Sequence, residues 1–126
     1  MGIVSVITGG PEDTPMSDVI MKLTQTPVIN LCGQTSLLEL RDVLYHSLIV
    51  VSCDTGPMHL AVALGKKTVA LFGPSDPRRT GPYKGFVVSK RSECSPCNRR
   101  RCETPHCMDL ITAEDVLAKI ESVIEL

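Results

Sequence analysis

The sequence predicts an α/β fold, a parallel sheet with helices packed on both faces. Three observations carry that expectation. Short runs of β-branched and apolar residues recur along the chain. Each run leads into a helix signal, so the pattern is strand, turn, helix, repeated. The runs are apolar rather than alternating, as strands covered on both faces are. The chain has 126 residues, with 43% hydrophobic and 21% charged, which suits one globular domain with a real core.

The elements follow in order. Gly2 to Thr8 (GIVSVIT) reads as the first strand, ended by Gly9-Gly10-Pro11. Thr14 then Pro15 reads as an N-cap and first helical residue, opening a helix to about Leu23. Pro27 to Leu31 is a short buried strand. Ser36 and Glu39 form a capping box for a helix with Leu37, Leu40, Val43 and Leu44 on one face. Leu48 to Ser52 (LIVVS) is a third strand. After Cys53-Asp54-Thr55-Gly56-Pro57 comes a short helix through Leu64, stopped by Gly65. Lys67 to Phe72 and Phe86 to Val88 are further strands. Thr112 caps the last helix, to Ile124, with Asp115 completing its capping box. The stretch 73–109 is rich in Pro, Arg and Cys and reads as irregular. It is too long for a plain connector and so reads as functional or metal-organised.

Charge and composition exclude several classes. The formal net charge of -1 argues against a wholly basic nucleic-acid binder. Aromatics are 3% of the chain with no Trp, so stacking platforms for bases are scarce. No apolar run approaches the ~20 residues of a membrane helix, and the N-terminus has no signal-peptide pattern, so a cytoplasmic location is expected. The charge is uneven, however. Eight of the thirteen Lys and Arg lie between Arg78 and Arg101 with Glu93 the one acid among them, a local charge of +7. Such a stretch suits an anionic neighbour or forms a solvated face.

Ligands of doubly wound sheets bind beyond the carboxyl ends of the strands. Three turns lie there: Gly9 to Glu12, Asp54 to His59, and Gly73 to Pro77. The turn Asp54-Thr55-Gly56-Pro57-Met58-His59 says most. Pro57 at the first helical position leaves the following amides pointing out of the helix end, and Gly56 admits close approach to the backbone. A helix start of this kind suits a pyrophosphate. His59 is placed to donate to the same anion, and Thr55 offers a hydroxyl. Asp54 would repel phosphate and so suits a sugar hydroxyl or a helix cap. The competing reading makes Asp54 only an N-cap and His59 a packing residue. Glu12 is suited to ribose hydroxyls, or to the helix-start dipole alone.

Cys94, Cys97, Cys102 and Cys107 give C-x2-C-x4-C-x4-C, with His106 beside the last. Four soft ligands in this span can hold one tetrahedral structural zinc, with free thiols and disulfides as the other readings. Cys32 and Cys53, at strand ends, read as small buried residues. There is no Walker A loop and no G-x-G-x-x-G.

The segments NLCGQTSLLELRDVL, VVSCDTGPMHLAVALGKKTVALFGPSDPRRTGPY and CSPCNRRRCETPHCMDLITAEDVL, with GGPED near the start, resemble the C-terminal half of the ADP-heptose:lipopolysaccharide heptosyltransferases, glycosyltransferase family 9. The likeness runs from about Ile3 to Leu126. It implies a Rossmann-like domain, the donor-binding half of a GT-B fold, with residues 1–126 as one such domain and a Cys-rich segment at 91–109. It implies that Asp54 to His59 meet the donor's diphosphate and sugar, that Glu12 meets the ribose, and that Thr35 lies near the adenine. The implied reaction moves heptose from ADP-heptose to the lipopolysaccharide inner core with inversion, with no required cofactor. In that family the general base is a carboxylate of the N-terminal domain.

Against that pattern the chain lacks the N-terminal acceptor domain and the first strand–helix unit of the C-terminal domain. It is therefore expected to be a truncated donor half, inactive alone. The uncovered apolar surface and sheet edge leave room for a homodimer. The acceptor chemistry leaves room for peripheral membrane association, and no nucleic-acid partner is expected. Two alternatives stand beside this reading. One is a zinc-bearing basic module that binds nucleic acid through Arg78 to Arg101, and the other is the nucleotide-binding half of a different GT-B enzyme.

Overall fold

The computed structural model describes residues 2–73, 77–82, 84–90 and 106–124, without the side chains of Arg79, Thr80, His106 and Cys107. Among the described residues there are five strands and six α-helices, alternating along the chain until two helices follow the last strand, the fold class the sequence predicts. They fall into two compact units, Met1–Val43 and Leu44–Leu126.

In the first unit, β1 (Ser5–Ile7) pairs in parallel with β2 (Val28–Asn30), with Ser5 opposite Val28 and Ile7 opposite Asn30. A single 3-10 turn, Pro11–Asp13, leads from β1 into α1 (Thr14–Leu23). The helix therefore starts differently from the expected Thr14 cap. Gly10 holds the N-cap position of the 3-10 turn and Asp13 that of α1. The Asp13 carboxylate turns back to accept from the Gly10 amide (3.0 Å), while the Asp13 amide donates to the Gly10 carbonyl (3.0 Å). Ser17 is the buried residue of α1. Met16, Val19, Ile20 and Leu23 on the helix, and Val4, Val6 and Ile29 on the strand segments, are exposed.

α2 (Leu37–Tyr45) opens on the expected capping box. The Ser36 amide donates to Glu39 Oε1 (3.0 Å) and the Glu39 amide to Ser36 Oγ (3.1 Å). Hydrogen bonding to Ser36, from its backbone amide first and its hydroxyl second, holds the Glu39 carboxyl below its ordinary range. Leu44 is the buried residue of α2, whereas Leu37 is 74% exposed, so Leu37 is not part of the inward face the sequence suggested. A first-turn residue lies past the end of the packed face, where a cap rather than burial sets the structure.

In the second unit, β4 (Thr68–Phe72) lies between β3 (Val50–Cys53) and β5 (Phe86–Ser89), all parallel. β4 is the centre of the core, with Thr68, Val69, Ala70 and Phe72 fully buried. Successive side chains of a strand point to opposite faces. Ala70 and Phe72 meet Met58 of α3 (Gly56–Ala63) and Val87. Val69 and Leu71 meet Val123, Ile120 and Ile124 of α6 (Ala113–Ile124), with Val88. This single strand thus explains helices on both faces. Thr68 hides its hydroxyl by donating to the Lys66 carbonyl (3.0 Å).

α6 carries the other expected capping box. The Thr112 amide donates to Asp115 Oδ2 (3.0 Å) and the Asp115 amide to Thr112 Oγ1 (3.1 Å). At its far end Lys67 Nζ donates to the Val123 carbonyl (3.1 Å), a cation at a helix C-terminus. The stretch expected to be irregular contains two further short helices, α4 (Pro77–Thr80) and α5 (His106–Asp109). No helix of the described residues is long and apolar enough to cross a membrane.

Candidate functional site

The predicted site residues fall at the carboxyl ends of strands in both units. In the second unit β3 runs out at Cys53, and the chain turns through Asp54 and Thr55 into α3. Thr55 is the N-cap, with extended backbone (φ -143°, ψ 169°), and its side chain makes no cap bond. Its hydroxyl instead lies 3.0 Å from Ser52 Oγ and donates to the Cys53 carbonyl (3.4 Å). Asp54, which sequence reasoning offered as a possible cap, does not hold the N-cap position. Pro57 has no amide hydrogen, and the His59 amide donates to the Thr55 carbonyl (3.4 Å). The amides of Gly56 and Met58 therefore belong to a first turn that the Thr55 side chain does not cap, the end that carries the positive pole of the backbone dipole.

Gly56 has open space where a side chain would stand, with nothing within 4 Å of a Cβ built there. Thr55, Gly56, Pro57 and His59 are exposed. Met58 is different. It is fully buried against Ala70 and Phe72, so within the motif it anchors the helix rather than facing a ligand. His59 Nε2 stands 3.9 Å from Asp54 Oδ1, with the histidine side chain 51% exposed and the aspartate 22%. That separation is an ion pair only when the imidazole is protonated, and it leaves the ring's edge available to solvent. An acid beside an accessible imidazole at a helix start can bind a hydroxylated, anionic ligand. The helix end and imidazole take the anion, and the carboxylate takes a hydroxyl.

Cys53 is exposed rather than buried. Its place at the last position of β3 opens it to solvent, where the sequence suggested a core residue. Desolvation by its surroundings still pushes the thiol above its ordinary value, so it is a neutral thiol and a poor nucleophile.

In the first unit, Glu12 is exposed on the 3-10 turn that follows β1. Its carboxylate lies over Gly10, in the space a Cβ at that position would fill. The glycine thus permits the position the carboxylate takes. Gly9 is equally confined, since a Cβ there would come within 2.9 Å of Asp13 Oδ2 and Cys32 Sγ. Thr35 is half-buried in the loop after β2, next to the Ser36 cap of α2. Just before it, Gln34 Nε2 donates to the Asn30 carbonyl (3.3 Å).

Sequence reasoning missed the residues that hold the Glu12 turn. Asn30, Cys32 and Ser17 form a hydrogen-bonded group behind it. The available signal was an asparagine inside an apolar strand (PVINL). The proposed zinc ligands Cys94, Cys97 and Cys102, and the side chain of Cys107, lie outside the described residues. So do 74–76 of the third turn and residues 91–101 of the basic stretch. Among the described residues no cluster of three or more His, Cys, Asp or Glu is placed to hold a metal ion.

Comparison with known proteins gives a consistent result. Residues 2–108 match the model of glycosyltransferase family 9 (heptosyltransferase). Lipooligosaccharide heptosyltransferase 2 of Campylobacter jejuni subsp. jejuni serotype O:2 is 30% identical over 111 residues, which are 84% of this chain and 35% of that protein. The glycosyl transferase family 9 structure from Veillonella parvula superposes with a TM-score of 0.85 at 28% identity, over 98% of this chain and 37% of that one. The E. coli ADP-heptose lps heptosyltransferase II structure superposes with a TM-score of 0.79 at 25% identity, over 95% of this chain and 36% of that one. The chain thus spans about a third of the length of these relatives.

Proposed function

Because the chain belongs to glycosyltransferase family 9, the heptosyltransferase family, we propose that it is the part of such an enzyme that binds the nucleotide-sugar donor. The donor is ADP-heptose, and the acceptor of the full reaction is the lipopolysaccharide inner core. The observation that carries the reading is the exposed start of α3, which the Thr55 side chain does not cap. It combines the exposed Gly56 amide, the accessible imidazole of His59 and the carboxylate of Asp54. In this reading the helix end and His59 hold the diphosphate, while Asp54 takes a sugar hydroxyl. Glu12 holds the ribose and Thr35 lies near the adenine. Residues 1–126 act as one donor-binding domain, cytoplasmic and without a required cofactor, and any zinc on Cys94, Cys97, Cys102 and Cys107 is structural.

Inverting transfer needs a base that takes the acceptor's hydroxyl proton as the oxygen attacks the sugar carbon and the diphosphate leaves. Donor contacts stabilise the leaving diphosphate but cannot remove that proton. The base and the acceptor surface are therefore assigned to a polypeptide portion that this chain does not span, and the chain alone is expected to bind donor without turnover. A homodimer and peripheral contact with a membrane surface fit the exposed apolar residues of the first unit but are secondary to this assignment.

Calorimetry of the chain with ADP and ADP-heptose, against GDP and UDP at equal salt, tests the reading. Saturable binding that prefers adenine should weaken about tenfold in His59→Ala, the loss of one hydrogen bond to a charged group. A modest salt dependence separates one diphosphate from nucleic-acid binding, which weakens steeply with salt. No binding of any nucleotide, or equal binding in His59→Ala, would refute the assignment.

A further inference from the structure

The hydrogen bonds behind the Glu12 turn form a continuous chain with assignable direction. Ser17, 2% exposed, donates its hydroxyl proton to the Thr14 carbonyl (2.9 Å). Its oxygen is left to accept, and Asn30 Nδ2 donates to it (3.2 Å). The other end of the same amide, Oδ1, accepts from the Cys32 backbone amide (3.0 Å). Both contacts therefore fix which way the amide points. The turn that Asn30 holds then reaches across to the Glu12 loop. Cys32 Sγ donates to the Gly10 carbonyl (3.4 Å), and the Gly33 amide donates to the Gly9 carbonyl (2.8 Å). Gly33 adopts φ +71°, and a Cβ there would lie 3.2 Å from Pro11 Cα and 3.3 Å from Thr14 Oγ1. The turn is thus seated directly on the residues that flank Glu12.

We propose that Asn30 is a positioning residue for Glu12, acting through the Cys32–Gly33 turn to hold the carboxylate where it meets the ribose hydroxyls of the donor nucleotide. The inference rests on the reading of Glu12 as the ribose contact and deepens it. Asn30 touches no ligand. Its side chain joins the first turn of α1 to the turn after β2, and that turn bonds to the loop after β1, so the Glu12 turn is held from both sides. Aspartate is the informative replacement. It keeps the shape and the acceptor facing Cys32, but it sets a carboxylate oxygen against the Ser17 oxygen. Ser17 can satisfy that carboxylate only by giving up its bond to Thr14.

The test is a double-mutant cycle on the whole chain, read by calorimetry with ADP and, separately, with inorganic pyrophosphate, alongside thermal melts. Asn30→Asp should weaken ADP binding about tenfold and leave pyrophosphate binding unchanged. In a Glu12→Ala background, Asn30→Asp should cause no further loss of ADP affinity. If Glu12→Ala weakens ADP but Asn30→Asp does not, the positioning role is wrong and the ribose reading stands. Additive losses, or equal losses for ADP and pyrophosphate, would show Asn30 acting on the fold at large and overturn the inference. If Glu12→Ala leaves ADP binding intact, the ribose reading fails and the positioning role falls with it. Should Asn30→Asp not fold, Ser17→Ala breaks the same chain at its other end and must give the same pattern.

Discussion

Met58 links the candidate site to the core of the second unit, and its truncation is the sharpest test of that link. The side chain is fully buried against Ala70 and Phe72. Met58→Ala removes everything beyond Cβ from this contact. The transfer cost of those atoms is about 2 kcal/mol at ~0.8 kcal/mol per methylene. Two features keep the vacated space from closing. Ala70 is too short to reach across, and Phe72 is held by the central strand of three. The residual cavity brings the total to about 3 to 4 kcal/mol. For a chain of this length that is a fall in Tm of roughly 10 °C or more. Met58→Leu, close in volume, should cost less than about 1.5 kcal/mol. Circular dichroism melts and urea titrations of the three proteins give these values. Nucleotide affinity at a temperature where all are folded should fall in the alanine variant and hold in the leucine variant, because the first turn of α3 loses its anchor only in the former. A Tm change below about 3 °C for Met58→Ala would refute the reasoning, for it would mean that the side chain is not enclosed and the helix start is held by something else.

Three further outcomes follow from the same structure. Gly33→Ala forces a left-handed backbone on a residue with a Cβ and presses that Cβ on Pro11, which should cost about 1 to 2 kcal/mol in denaturant titration. Thr112→Ala removes a helix cap of α6 and should cost about 1 kcal/mol, measured the same way. The carboxyls of Asp115 and Glu39 are held below their ordinary range by bonds from Thr112 and Ser36. The stabilisation each adds is present above the unfolded carboxylate range and is lost as pH falls through the folded value. Tm should therefore decline on acidification through that range, and Asp115→Asn should flatten the decline.

Much of the fold was legible because its signals are local. The two capping boxes, Ser36 with Glu39 and Thr112 with Asp115, form with the partners the spacing named. A capping box needs only four consecutive residues, and tertiary context rarely overrides it. The apolar strands were legible for a similar reason. β4 is buried on both faces, so its sequence is apolar from Val69 to Phe72 and marks the centre of the sheet. What escaped depended on which neighbour a side chain finds. Thr55 is a good N-cap residue by type, yet its hydroxyl goes to Ser52 and Cys53 at the strand end rather than to a helix amide. Leu37 has the right periodicity and the wrong place, one turn before the packed part of α2. The partners of Asn30 are thirteen positions back and two ahead, and no periodic pattern links them.

The two candidate turns, one in each unit, share a construction that explains why residue type alone misassigns them. A ligand-facing turn at a strand end must keep its polar groups within reach of the ligand, so those groups cannot be its main anchor. It must be held by residues one or two positions away that face inward. In the second unit the exposed His59 is carried by the buried Met58 beside it, pinned to Ala70 and Phe72. In the first unit the exposed Glu12 sits on a turn whose neighbours Gly9 and Gly10 are bonded to the turn at Cys32 and Gly33. One anchor is apolar because a helix with a sheet beneath it can bury a side chain. The other is polar because a loop against a loop exposes carbonyls that must be satisfied. Motif reading treats Asp54 to His59 as one list of contacts, whereas the geometry divides it into groups that meet the ligand and a group that holds them there. The same division predicts that substitutions of the anchors act on stability and affinity together, while substitutions of His59 or Glu12 act on affinity with little change in Tm.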